Sequence, residues 1–509
     1  MTALAQLSTQ THPIPVKAKA LPLRFITCGN VDDGKSTLIG RLLWDTKMVM
    51  SDHVAGLYKG NSQSNSNDND GLNLPDFSLL LDGLQAEREQ GITIDVAYRY
   101  FSTANRSYIV ADTPGHEQYT GNMATGASTA DLAIILVDAR TGLQEQTRRH
   151  AMIVALMGIR QVVLVVNKMD LVGYDRITYQ TISDEFHIFA RDLPLNTITV
   201  IPTSAPQGEN VTVPATAAMP WYTGITLLDA LESADARRED NAGFRLSVQR
   251  VSRPDESFRG YQGTVSGGSI SVGEAVTIAP SGEQAKVTKI LTFDGKQLHA
   301  APGDAITVTL DRNIDIARGD MITAQESTVA AVRKVDAKLV VLTAQSLDPA
   351  KRYWLKAGSR RQRVRIKPHS TLNLSDQTWS PANRLHQNAI ATAALQFEED
   401  AIFDLYADNR STGSFILIDP DTLNTVAGGM VTGGTEKRDV EAGDLDQADD
   451  ATSGQSKTEE TVTLSLPLDL ARQLIRSDLL SDRIDDIEVI QITRDRLGAS
   501  DHALLDGGP

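Results

Sequence analysis

Gly29, Gly34, Lys35 and Ser36 stand in the spacing glycine, four residues, Gly-Lys-Ser, with Asn30, Val31, Asp32 and Asp33 between and Thr37 after. Two glycines let a backbone bend until successive N–H groups point inward, and a following helix end adds partial positive charge. Such a loop cradles a polyphosphate. In it Lys35 reaches the β- and γ-phosphates and the Ser36 hydroxyl ligates Mg²⁺.

Three other segments supply matching chemistry. In Asp112-Thr113-Pro114-Gly115-His116 the carboxylate can hold Mg²⁺ through water and the Gly115 N–H can meet a γ-phosphate. The His116 imidazole can position an attacking water by hydrogen bonding. In Asn167-Lys168-Met169-Asp170 the last carboxylate matches the N1–H and 2-amino donors of guanine, which adenine lacks. A buried carboxylate left unpaired by the wrong base discriminates by about 10⁴ or more. Ser204-Ala205 would complete that pocket through a backbone N–H to guanine O6. Thr93, in the loop Gln85–Asp95, can ligate Mg²⁺ and sense the γ-phosphate. These residues predict GTP and Mg²⁺ as the bound species, with Lys35 and His116 as the catalytic pair.

The elements that must hold them are legible from apolar patterning. Leu23, Phe25, Ile26 and Cys28 form a buried strand before the glycine loop, and Leu38, Ile39, Leu42 and Leu43 space a helix after it. Further strands are expected at 107–111, 131–137, 161–166 and 197–201, separated by helical stretches. Near-continuous apolar strands alternating with helices predict a mostly parallel α/β sheet covered on both faces. From about 242 short glycine-punctuated strands take over and predict two antiparallel β-barrels. The expected domains are a flexible tail (1–20), a P-loop nucleotide domain (21–240), barrels over 241–330 and 331–432, an acidic linker (433–460) and a short helical C-terminal extension (461–509). Gly60 to Asp70 is polar low complexity and predicts a disordered loop.

Bulk properties narrow the class. Of 509 residues, 49 are Lys or Arg and 65 Asp or Glu, a formal charge of −16 that argues against nucleic acid as a partner of the whole surface. The one cysteine, Cys28, excludes an intrachain disulfide framework and suits a reducing, cytoplasmic setting. No apolar run is long enough to span a bilayer.

The order of these segments, with two barrels behind them, resembles the translation-factor GTPases such as elongation factor Tu, over roughly residues 20 to 432. Longer stretches are more specific. Gly29-Asn-Val-Asp-Asp-Gly-Lys35, the run from Leu81 to Phe101, Asp112 to Thr120 and Asn122 to Asp131 look like the GTPase subunits of heterodimeric sulfate adenylyltransferase. Departures are Gly121, where Arg is expected, and Pro206, where Leu is usual. The resemblance implies that GTP hydrolysis drives adenylation of sulfate by ATP, yielding adenosine 5′-phosphosulfate and diphosphate on a partner catalytic subunit, in a heterodimer or higher assembly. It also implies Thr93 and Ser36 as metal ligands and His116 as the catalytic side chain. The alternative is a translation factor delivering tRNA, which Arg352, Lys356, Arg360, Arg361, Arg363, Arg365 and Lys367 would serve; the last four alternate and so line one strand face.

Overall fold

The computed structural model describes residues 22–47, 75, 77–80, 93, 95–236, 243–255, 258–327, 329, 331–374 and 377–434. The tail 1–20, the loop 60–70, most of 85–95, the acidic linker from 435 and the C-terminal helix lie outside the described residues.

The first domain is one six-stranded sheet. Its strands β1 (Leu23–Gly29), β2 (Ala97–Ser102), β3 (Ser107–Asp112), β4 (Leu132–Asp138), β5 (Gln161–Asn167) and β6 (Thr197–Pro202) lie in the order β2-β3-β1-β4-β5-β6. All neighbours are parallel except β2, which pairs antiparallel with β3. Alternation explains how both faces are covered. Leu23 and Phe25, Leu132, Ile134 and Leu136, and Val163 and Val165 pack with α1 (Lys35–Asp45) and the last domain helix, Leu227–Ser233. Their neighbours Ile26 and Cys28, Ile135 and Val137, and Leu164 and Val166 pack with α2 (Thr120–Ser128), α3 (Glu145–Leu156) and α4 (Arg176–Ala190). Strand β2 escaped the apolar pattern because it is an edge strand, with Tyr98 and Tyr100 exposed and Phe101 buried.

Two closed antiparallel barrels follow. Six strands between Arg245 and Ala324 close through pairing of Ala275–Ala279 with Gln284–Thr292. Six more between Ala331 and Gly433 close through Arg352–Ala357 with Arg360–Leu372. Closure leaves neither barrel an open edge. The second barrel also packs on the nucleotide domain: Val340, Ile390, Tyr406 and Met430 extend the core formed by α2, α3 and α4.

Four of the loops singled out above follow the carboxyl end of a parallel strand, the glycine loop after β1, Asp112–His116 after β3, Lys168–Asp170 after β5 and Ser204 after β6, while Thr93 lies ahead of β2. Sheet order turns outward on both sides of β1, so these ends ring the crevice where α/β sheets take ligands.

Candidate functional site

The glycine loop is braced from within. Gly34 has φ 90°, a left-handed conformation that favours glycine, and an added Cβ would meet Asn167 Nδ2 at 2.6 Å. The Asn30 N–H donates to Asp33 Oδ2 at 2.6 Å, and the Lys35 ammonium donates to the carbonyls of Asn30 (2.7 Å) and Gly29 (3.2 Å). No side chain caps the start of α1, so its first N–H groups face the cradle without an internal acceptor. That is the arrangement an anion fills. Burial pushes the Asp33 carboxyl up to about 6 against the pull of Lys35. Burial also pulls the Lys35 ammonium down, against Asp112 and Asp33.

On the metal side, Ser36 Oγ lies 3.3 Å from Asp112 Oδ2, and the Thr27 hydroxyl donates to Asp112 Oδ1 at 3.1 Å. Hydroxyl and carboxylate oxygens are the hard donors Mg²⁺ takes alongside phosphate oxygens and water, so these residues fit the ion. Thr93 is half-buried in coil and makes no hydrogen bond to either among the described residues. Thr113 is buried and donates to the Thr27 carbonyl at 2.6 Å, which anchors the segment through Pro114. Gly115 presses on the loop: a Cβ there would meet Lys35 Nζ at 2.5 Å. His116 is exposed, its Nδ1 accepting from the Gln118 N–H at 3.4 Å within its own turn.

The base side has a distinct signature. Asp170 is half-buried, yet its Oδ1 is enclosed without a hydrogen-bond partner, as is Ser204 Oγ. An enclosed carboxylate oxygen lacking a donor is expensive unless a ligand provides one. Asn167 ties the loops together: its Nδ2 donates to the Asp33 carbonyl at 2.8 Å, while its Oδ1 accepts from Thr203 Oγ1 at 3.2 Å and the Ala205 N–H at 3.1 Å. Of the Ser204-Ala205 backbone donors expected for guanine O6, the Ala205 N–H is engaged with Asn167. Met169 is fully buried in the domain core, so its side chain packs rather than facing a ligand. Lys168, at φ 61°, donates to the Asp32 carbonyl and lies 3.1 Å from Asp138 Oδ2. Val31 and Asp32 sit at the loop's outer rim, half-buried and exposed.

Two residues join the site without having been picked out. Asp138 ends β4 and holds both Lys168 and a forked Arg140; burial raises its carboxyl, but the Arg140 and Lys168 bonds win and hold it down at about 2. Its place at a parallel strand's carboxyl end was a usable signal. His150, on α3, is fully buried, and its Nδ1 accepts the Gly29 N–H at 3.1 Å. A backbone N–H only donates, so Nδ1 is the acceptor here, while Nε2 lies 2.9 Å from Gln146 Nε2. Nothing in the sequence near His150 announced that contact, 121 residues away.

The chain matches the model of the elongation factor Tu GTP-binding domain over residues 22–235 and that of a GTP-eEF1A C-terminal domain-like family over 334–432. Among curated proteins it is 57% identical to a sulfate adenylyltransferase subunit 1 of Rhizobium tropici over 97% of each chain. It is 58% identical to that of Rhizobium meliloti, covering 93% of this chain and 91% of the relative. A third, from Chromobacterium violaceum, is 49% identical over 82% of this chain and 87% of its own.

Proposed function

The chain belongs to the sulfate adenylyltransferase subunit 1 family, and from that premise we propose how its nucleotide site serves the reaction. It is the GTPase subunit of the enzyme. The half-buried Asp170 carboxylate, one oxygen of which finds no donor, carries the base assignment: its two oxygens match the N1–H and 2-amino donors of guanine.

Uncapped N–H groups at the start of α1 and the Lys35 ammonium take the β- and γ-phosphates. Ser36 would hold Mg²⁺ directly and Asp112 through water, with Thr93 joining from its loop. Held there, Mg²⁺ would supply positive charge against the phosphates. His116, exposed beside this corner, turns from its own backbone to order the attacking water.

The partner is a catalytic subunit that binds ATP and sulfate and forms adenosine 5′-phosphosulfate and diphosphate. That mixed anhydride is unfavourable to make, and GTP hydrolysis on this chain drives it. A nucleotide shifts the partner only by binding two states differently. Moving an equilibrium from 1:99 to 99:1 takes about 5.5 kcal/mol, within the reach of γ-phosphate and metal contacts. With both subunits present, sulfate-dependent diphosphate release should require GTP and stop with GDP. Equal rates with the two nucleotides would refute the coupling.

A further inference from the structure

The cations of the second barrel are gathered rather than scattered. On strands Arg352–Ala357 and Arg360–Leu372, Gln362, Val364 and Ile366 point into the barrel while Arg361, Arg363, Arg365 and Lys367 line the outer face. Across the strand pair, Trp354 stands opposite Arg363 and Lys356 opposite Arg361. Arg361 and Arg363 each place their guanidinium carbon 3.9 Å from the centre of the Trp354 ring. Two guanidiniums cannot share one face of an indole at that distance, so the ring is sandwiched. On the next strand Ile418 lies beside Trp354 and Ile416 beside Lys356, both half-buried.

Lys356, Arg361, Arg363, Arg365 and Lys367 form no ion pair with any described residue. Five uncompensated cations on one face of a chain with net charge −16 repel one another and are retained against that repulsion. A half-exposed apolar centre of Trp and Ile, ringed by Arg and Lys, has the anatomy of a protein interface. Lys356 also lines the cleft of about 1120 Å³ between this barrel and α2, where Gln118, Tyr119, Asn122 and Thr125 of the Asp112–His116 side face it.

We propose that this Trp354-centred basic face, continuing into the α2 cleft, is the docking surface for an acidic face of the catalytic partner subunit. The proposal rests on the function given above. A second copy meeting this face in a two-fold contact would set the same cations against their own counterparts. Nucleic acid is disfavoured because both faces of Trp354 are already covered by guanidiniums, leaving no platform for a base. A partner seated here touches the helix that follows the γ-phosphate segment, so nucleotide state and docking are read at one place.

The test uses the full chain and purified catalytic subunit. Wild type should bind with an affinity that weakens at least tenfold between 50 and 300 mM salt. Arg361→Glu/Arg363→Glu/Arg365→Glu should weaken binding about 100-fold or more, leaving GTP affinity and partner-free GTP hydrolysis unchanged. Should the triple variant misfold, Arg365→Glu and Lys367→Glu singly, neither in the Trp stack, should each weaken binding several-fold. Unchanged affinity in all of these variants overturns the surface while leaving the enzyme assignment standing. Loss of RNA binding with intact subunit binding overturns it in favour of nucleic acid. A wild-type chain that neither binds the subunit nor supports GTP-dependent sulfate adenylation removes the underlying function instead.

Discussion

Asp170 and His150 show how single side chains set this site from opposite directions. Asp170 keeps one oxygen enclosed and without a partner among the described residues, at the carboxylate proposed above to take guanine. Asp170→Asn replaces an acceptor by a donor at that point, and xanthine, with a carbonyl at the 2-position, is the base that then fits. GTP affinity should fall by 10²-fold or more while xanthosine triphosphate gains, a reversal read by competition binding; unchanged preference would take Asp170 out of the pocket. His150 works at the back of the loop, holding the Gly29 N–H while Gly29 and Asn30 carbonyls engage Lys35. His150→Asn keeps an acceptor near the Nδ1 position and should bind GTP within about threefold of wild type; His150→Leu should lose about tenfold, with turnover at saturation little changed. Burial pulls the His150 imidazole down to about 3 from its ordinary 6.5. The unfolded chain therefore binds the extra proton between those values, and this residue's contribution to stability is full above pH 6.5 and lost as pH falls toward 3. Asp33 has the reverse sign. Its carboxyl, raised to about 6, favours the fold at low pH and less so as pH rises from about 4 to 6. Melting curves of His150→Asn against wild type from pH 7 to 4 should show a shallower acid decline in the variant.

At the scale of elements, β1, the glycine loop and α1 form one unit whose parts are legible because they are local. The apolar run, two glycines and a helical stripe occur within 21 residues, from Leu23 to Leu43. The same holds for β4 and β5, which are buried on both faces and read as continuous apolar runs, and for β3 and the edge strand β6, whose shorter runs are still apolar. Edge strand β2 lacked that signal, and its alternation is blunted by two exposed tyrosines. What sequence could not show is how closely the segment after β3 lies on the loop after β1, since that depends on strand order. Gly115 makes the point: a Cβ would sit 2.5 Å from Lys35 Nζ and 2.9 Å from backbone atoms of Gly29 and Asn30. Backbone cannot yield as a side-chain tip does, so Gly115→Ala should push the Asp112–His116 segment off the cradle. The expected result is single-turnover GTP hydrolysis reduced about tenfold or more, with GDP affinity within a few-fold, because only the γ-phosphate side is displaced. Gly121, on α2, has less at stake; its Cβ would meet the flexible Leu342 side chain at 3.3 Å across the barrel contact.

Across the whole molecule, barrel class is written in glycine-punctuated β patterns, but the joints between domains are not, because they pair residues far apart in the chain. The segment Asp404–Thr412 is the clearest joint. Asp404 accepts a fork from Arg245 of the first barrel at 3.0–3.1 Å and a bond from Thr412 Oγ1 at 2.5 Å. Asn409 donates to the Ser266 carbonyl at 2.8 Å, and Tyr406 donates to the Met157 carbonyl at the end of α3 at 2.9 Å. One loop thus ties both barrels to the nucleotide domain. The ion pair is almost fully buried, Arg245 4% and Asp404 7% exposed. Removing one member leaves an uncompensated charge, which costs about 3–5 kcal/mol, whereas replacing both by apolar residues of similar volume is often neutral. Arg245→Met should therefore lower the barrels' urea midpoint sharply, and Arg245→Met/Asp404→Leu should recover most of the loss. If the single change is as stable as wild type, the charge on Asp404 is being met by water, and the joint is held by Tyr406, Asn409 and packing alone.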